Sequence, residues 1–494
     1  MIALTVAQIA EIVGGRLADV SEADAARLQV TGAVEFDSRK ITPGGLFLAL
    51  PGARADGHDH AASAVAAGAV AVLAARGVGV PAVVVEPLGP SSSGASVLEH
   101  DADGSGAAVL AALAKLASFV AAELVAGGLT IVGVTGSSGK TSTKDLLAAV
   151  LAPLGEVVAP PGSFNNELGH PWTVLRATPD TDFLVLEMSA RHPGNIAELA
   201  AIAPPSVAVV LNVGTAHLGE FGSREAIAAT KSELPQAVPP SGVVILNVDD
   251  AAVAAMSAVT AARVVRVSRQ SPADVWADHV QLDGLARPSF VLHAGDDEVR
   301  VTLAVHGEHH VSNALCAAAV ALECGASLSQ VADALAGAGP ASARRMAVTI
   351  RSDGVTVIND AYNANPDSMR AGLQALAWMA AEGGRRGWAV LGEMAELGDD
   401  AISEHDRIGR LAVRLDVSRL VVVGTGRSMH AMHHGAVMEG FWGGPENAQA
   451  TLVDDADAAL ALLRDELEPG DVVLVKASNA AGLGTMADAL ASGH

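Results

Sequence analysis

Three observations predict an α/β protein of three domains. The chain has 494 residues, beyond the roughly 250–300 at which a single core divides. Half of those residues are hydrophobic but only 3% are aromatic, so the apolar content is Ala, Val and Leu spread over many elements. From about residue 127 onward, short apolar runs recur between helical stretches, as in parallel sheets covered by helices. The expected divisions are an N-terminal domain over 1–126, a central parallel-sheet domain over 127–340 and a C-terminal Rossmann-like domain over 341–494.

The N-terminal block opens with a short helical pattern. The turn Thr42-Pro43-Gly44-Gly45 leads into the extended run Phe47-Leu48-Ala49-Leu50. A helix from His60 to Ala67 precedes the strand-like runs Val70–Ala74 and Ala82–Val85. Gly89 to Gly106 is rich in Ser, Gly and Asp and reads as a flexible surface insertion. The central strands are Leu129–Val134, Phe183–Leu186, Val207–Leu211 and Val243–Asn247, followed by a β-rich stretch near 262–306 and a helix pair from His310 to Ala338. The C-terminal strands are Val355–Ile358, Gly387–Leu391, Arg419–Val423 and Asp471–Val475.

Charge and hydropathy exclude several classes. The formal net charge is −24, with 55 acidic residues against 31 basic ones, which disfavours general binding to nucleic acid or anionic lipid. Mean hydropathy is +0.36, but the longest apolar stretch, Ala107 to Gly128, contains Lys115 and Glu123, so no membrane span is expected. Met1 to Gly15 lacks a basic start and includes Glu11, unlike a signal peptide. Cys316 and Cys324 sit eight apart in a helical pattern. That spacing is about 12 Å along a helix, too far for a disulfide. A reduced, cytoplasmic, monomeric protein is the expectation.

The strand Leu129–Val134 runs into Thr135-Gly136-Ser137-Ser138-Gly139-Lys140-Thr141 and then a helix from Ser142 to Leu151. Such glycines let successive backbone N–H groups point at a phosphate, and the helix aims its positive end at the same anion. Lys140 would reach the outer phosphates and Thr141 would ligate Mg²⁺. No Asn-Lys-x-Asp guanine-reading motif occurs, which favours ATP. Ligands of open α/β sheets gather at the carboxyl ends of strands. Phe183–Leu186 ends in Glu187 and Val207–Leu211 leads to His217, which makes both candidates beside a phosphate-bound cation. Lys231 is one of only six lysines. It lies in a helix for which Ser223 is the expected N-cap, and by itself it reads as a solvated helix lysine.

Together, Thr135–Thr141, Asn165-Asn166-Glu167-Leu168-Gly169, Glu187-Met188-Ser189, the segment from Ala216-His217 to Lys231, and Gly307-Glu308-His309 with Asn313 resemble the Mur ligase family. These are ATP-dependent amide-forming enzymes of peptidoglycan synthesis, and the resemblance spans essentially the whole chain. Asn359-Asp360-Ala361-Tyr362-Asn363-Ala364-Asn365-Pro366, with the chain's single tyrosine, and Gly392-Glu393-Met394-Ala395-Glu396-Leu397-Gly398 resemble the members that take D-alanyl-D-alanine as acceptor. Asp37-Ser38-Arg39, Pro43–Phe47 and Asp56-Gly57-His58 resemble the family's domain for the UDP-sugar end. Two places depart from the family pattern. Arg344-Arg345-Met346-Ala347 stands where Gly-Arg-x-Glu is common, and Lys476-Ala477-Ser478-Asn479 where Lys-Gly-Ser-Arg is usual.

The resemblance implies that a UDP-N-acetylmuramoyl-tripeptide carboxylate is phosphorylated by ATP and then attacked by the amine of D-alanyl-D-alanine. It implies ATP contacts at Asn313, Arg345 and Asp360, and UDP contacts at Ser38 and Arg39. Asn165 and Asn166 would face the muramoyl peptide, with Tyr362, Asn363 and Asn365 on the ATP and dipeptide side. Thr141 and Glu187 would hold one Mg²⁺ and His217 a second, with Lys231 converted by CO₂ into a carbamate ligand. A nucleotide-binding regulator without ligase activity is the competing class, and it leaves Asn165, Glu187 and the C-terminal block without a role.

Overall fold

The structure is a computed structural model that describes residues 1–52, 55–89, 98–214, 218–440 and 449–493. Its three large sheets follow one another along the chain. The first has five strands, in the order Arg16–Ala18, Ala82–Val84, Ala69–Ala74, Gly45–Leu48 and Val34–Glu35. Only its edge strand Arg16–Ala18 is antiparallel. The helix expected at 60–67 is a 3₁₀ turn, Gly57–His60, followed by Ala61–Ala66.

The central sheet has nine strands. Val157–Val158, Phe183–Glu187, Thr130–Thr135, Val207–Val210, Val243–Asn247 and Arg263–Ser268 run parallel. The stretch near 262–306 continues the same sheet: Val275–Leu282 pairs in parallel with Arg263–Ser268, and Pro288–Ala294 and Asp297–Thr302 follow it in antiparallel pairing. Register matters for function here. Glu187 pairs beside Val134, and Val210 beside Thr135, so the carboxyl ends of three neighbouring strands open at one place. The helices Lys140–Leu151 and His310–Glu323 pack together over one face, filled by Val132, Val209, Leu147 and Leu315.

The C-terminal sheet has six strands in the order Ala347–Ile350, Thr356–Asn359, Val472–Lys476, Gly387–Leu391, Arg419–Val423 and Gln449–Val453. All pairs are parallel except the first. The two outermost strands were not foreseen. Each is half-exposed or polar along part of its length, so its apolar pattern is weak.

The helix Ser105–Ala126 corrects the membrane argument. By length and composition it is apolar enough to cross a bilayer, and Lys115 and Glu123 do not prevent that, but 56% of its most apolar window is buried inside the protein. It packs on the helices Val6–Val13, Gly169–Val174 and Asn195–Ile202, so Val109, Leu113 and Leu116 share one core with Ile9 and Leu184. Lys115 Nζ donates to the carbonyl of Val13 at 3.2 Å. Of the expected insertion at 89–106, residues 90–97 lie outside the described residues. Its end is ordered rather than slack, because the Asp101 carboxylate accepts the N–H groups of Gly106 and Ala107 and so caps this helix. Cys316 and Cys324 are both free, and burial pushes their thiols up to about 12 and about 11.

Candidate active site

A cleft of about 1050 Å³ opens between the central and C-terminal sheets. Its floor is the expected phosphate loop. Gly139 has φ +85° and precedes the helix Lys140–Leu151, whose first N–H groups are left for a ligand. The loop is pinned from behind by Asn212, whose Oδ1 accepts the N–H of Ser138 at 3.0 Å and whose backbone carbonyl accepts that of Ser137 at 3.1 Å. Thr135 donates its hydroxyl to the Met188 carbonyl at 2.9 Å. Gly136 packs so closely on Leu211 that a Cβ there would lie 2.8 Å from the Leu211 Cβ.

Lys140 Nζ donates to the carbonyl of Gly136 at 2.7 Å. Burial lowers its pKa to about 8; nearby Glu187 opposes that shift and Arg345 adds to it. Glu187 is buried at the end of its strand. Its Oε2 accepts from Thr141 Oγ1 and from Ser163 Oγ, both at 3.2 Å, while its Oε1 is buried without a hydrogen-bond partner among the described residues. Burial raises the Glu187 pKa, and Lys144, Lys140 and Arg345 pull it back. Asn165 Nδ2 donates to Ser163 Oγ at 2.8 Å and reaches Glu187 Oε2 at 3.4 Å. Asn166 lines the cleft and uses its Oδ1 to accept the Gly169 N–H.

The C-terminal sheet supplies the facing wall. Arg345 donates to Thr141 Oγ1 at 3.2 Å and lies 4.2 Å over the Tyr362 ring, a cation–π geometry. Asn365 caps the helix Pro366–Glu382 and extends Nδ2 to the Ser137 carbonyl at 3.4 Å. Asp360 accepts from the Met346 N–H and from Lys476 Nζ, the latter at 2.5 Å. Lys476 also donates to the carbonyl of Asn363. Asn313 faces the loop, its Oδ1 only 2.8 Å from where a Cβ at Gly139 would stand.

The expected residues Ser137, Ser138, Lys140, Thr141, Asn165, Asn166, Asn313, Arg345, Asp360, Tyr362, Asn363 and Asn365 therefore line one cleft. Ser38 and Arg39 do not join it. They form a 3₁₀ turn in the N-terminal domain, where exposed Arg39 is gripped by the Asp37 carboxylate at 2.8 and 2.9 Å. His217 lies outside the described residues. Lys231 overturns its solvated reading. It is 7% exposed, has no hydrogen-bond or ion-pair partner among the described residues, and its pKa lies well below the ordinary lysine value through burial and then Lys140. Ser223 caps its helix as expected, accepting the Ala226 N–H. Sequence reasoning gave no site role to Ser163, Asn212 or Lys476. Lys476 ends an apolar strand, so the strand-end rule that found Glu187 would have found it.

Three family models match the chain: "Mur ligase family, catalytic domain" over 31–117, "Mur ligase middle domain" over 134–321 and "Mur ligase, glutamate ligase domain" over 344–479. A Mycobacterium tuberculosis protein named UDP-N-acetylmuramoyl-tripeptide–D-alanyl-D-alanine ligase is 76% identical, with 99% of this chain and 98% of that protein covered. The Escherichia coli protein of the same name is 34% identical over 87% of this chain and 88% of its own length. Among solved structures, MurF from Acinetobacter baumannii superposes with a TM-score of 0.81 at 29% identity, covering 99% of both chains. MurF ligase from Thermotoga maritima in complex with ADP gives 0.73 at 26% identity, covering 94% of this chain and 98% of that one. The cleft, the order of its motifs and these full-length similarities lead to one conclusion: the chain belongs to the Mur ligase family.

Proposed function

We infer that this chain is an ATP-dependent amide ligase that joins D-alanyl-D-alanine to UDP-N-acetylmuramoyl-tripeptide through an acyl phosphate, giving the pentapeptide precursor of peptidoglycan. The observation that carries the reading is the convergence on one cleft of the phosphate loop, of Asn165 backed by the buried Glu187, and of Arg345 with Asn365 from the other sheet. A carboxylate is a poor acyl donor. An oxygen of the tripeptide's terminal carboxylate attacks the γ-phosphorus and ADP leaves. The dipeptide amine then attacks the acyl carbon, phosphate departs, and the amine gives up a proton.

Several anions meet in the first step, so positioning and charge neutralisation carry catalysis. The chain's −24 charge opposes both large substrates, which places the burden on Lys140, Arg345 and the loop amides. Thr141 and Glu187 are the residues that would hold Mg²⁺, and the buried Oε1 of Glu187, which has no hydrogen-bond partner among the described residues, supports that fit. Mg²⁺ bound there supplies neutralisation of the β- and γ-phosphate charge. For Lys231, a buried neutral amine is the form that adds CO₂ and loses a proton to become an anionic carbamate. Its burial and low pKa support that modification, with His217 as its companion toward a second cation. Arg39 and Ser38 are the UDP-side residues of this reading, and Asn165 and Asn166 those on the muramoyl-peptide side. The boundaries near 126 and 340 fall between elements, the first between the helix Ser105–Ala126 and the strand Thr130–Thr135, the second between the helix Leu328–Gly337 and the strand Ala347–Ile350. Two free, buried or half-buried thiols suit a cytoplasmic setting.

Phosphate release tests the reading. It is expected only when ATP, UDP-N-acetylmuramoyl-tripeptide and D-alanyl-D-alanine are all present. Hydrolysis indifferent to both other substrates would favour a nucleotide-binding regulator.

A further inference from the structure

We propose that Lys144, Asp145 and Ser342 are positioning residues that tie the loop carrying Ser163, Asn165 and Asn166 to the linker entering the C-terminal domain. The donor side of the cleft is then ordered only when that linker is seated. The inference rests on the reading of the 160–166 loop as the muramoyl-peptide side.

Lys144 stands one helical turn beyond Lys140 but serves a different purpose. It is 3% exposed and is not part of the cleft wall. Its ammonium donates to the carbonyls of Pro160 at 2.5 Å and Gly162 at 3.1 Å, with Asp145 at 3.0 Å as its third neighbour. Pro160 and Pro161 have no N–H groups, so this segment has only carbonyls and the Gly162 N–H with which to be anchored. The Gly162 N–H is taken by the Ser342 hydroxyl at 3.0 Å. The Ser342 N–H in turn goes to Asp145 Oδ2 at 3.0 Å. Ser342 is buried, although it lies in the connection between two domains.

The two ends of this tie are active-site groups. Immediately after Gly162 comes Ser163, which donates to Glu187 and accepts from Asn165. Three residues after Ser342 comes Arg345, which donates to Thr141. Seating of the linker therefore sets both Arg345 over the phosphate loop and the 162–165 segment beside Glu187. A linker that swings away with the C-terminal domain removes Ser342 from Gly162 and leaves the segment held by Lys144 alone.

The test is steady-state kinetics with each substrate varied in turn, on Ser342→Ala, Ser342→Thr and Lys144→Met, with Asn165→Ala as reference. Ser342→Ala keeps the backbone N–H bond to Asp145 that seats the linker, and Arg345 with it, but loses the hydroxyl that holds Gly162, so it should raise KM for UDP-N-acetylmuramoyl-tripeptide about three- to tenfold, the range for one lost hydrogen bond, while KM for ATP stays within about twofold. Ser342→Thr, which keeps the hydroxyl, should restore the wild-type value. Lys144→Met and Ser342→Ala combined should raise KM by less than the product of the single effects. The coupling is overturned if Asn165→Ala raises the tripeptide KM and Ser342→Ala does not, or if Ser342→Ala raises both KM values equally. A wild-type tripeptide KM in Asn165→Ala overturns the loop assignment and the proposal with it.

Discussion

Gly139→Ala separates two contributions that the phosphate loop combines. Gly139 has φ +85°, a conformation that costs an L-residue about 1–2 kcal/mol. That strain is present with and without nucleotide, so it should appear as lost stability in urea unfolding. The second contribution is steric. The new Cβ would lie 2.8 Å from Asn313 Oδ1, so the loop or the Asn313 amide must shift by about 0.6 Å to reach ordinary contact. Asn313 is buried at 5% exposure and its Nδ2 is 3.4 Å from His310 Nδ1, which leaves the loop to move. Misaligning one donor to a charged phosphate removes about 1.5–3 kcal/mol, a ten- to hundredfold weaker ATP affinity. Isothermal titration with ATP reads this directly. Asn313→Ala removes the obstacle, so the double variant should bind ATP more tightly than the two single effects multiplied together. Wild-type affinity in Gly139→Ala, or strict additivity in the double variant, would refute the steric reasoning.

Lys231→Ala should lower turnover by about two orders of magnitude and regain part of it with formate or acetate; a wild-type rate in that variant would remove the carbamate assignment. His170 is fully buried, and burial holds its pKa at about 4. The unfolded chain takes up this proton near pH 6.5 and the folded chain not until about 4, so stability is lost as pH falls through that window. Between pH 7.5 and 5 the loss from this one group is about 2 kcal/mol, and His170→Leu should remove that much of the pH dependence of urea unfolding.

Motif residues were legible in the sequence because short-range geometry fixes them. A strand, a glycine-rich loop and a helix need no distant partner to place Lys140 and Thr141, and a strand's end places Glu187 by register with Val134. The parallel strands were legible for a related reason, since burial on both faces makes them continuous apolar runs. Lys231 was not legible as a buried residue, because its helix carries Arg224 and Glu225 on a polar face and only tertiary packing covers the lysine. The long helix Ser105–Ala126 is apolar nearly all round since it is covered by helices of two domains, a situation that composition cannot distinguish from lipid. The tie through Ser342 joins residues 180 and 197 positions apart, a separation for which sequence pattern carries no signal. Ser38 and Arg39 belong to a different domain from the cleft, and only the family resemblance connected them to it.

The acyl phosphate is the central chemical claim, and oxygen transfer tests it most directly. UDP-N-acetylmuramoyl-tripeptide labelled with ¹⁸O in its terminal carboxylate is turned over with ATP and D-alanyl-D-alanine, and the released phosphate is analysed by mass spectrometry. Attack of a carboxylate oxygen on the γ-phosphorus predicts one ¹⁸O atom in each phosphate released, with the amide product retaining the other. Unlabelled phosphate accompanying amide formation would contradict it.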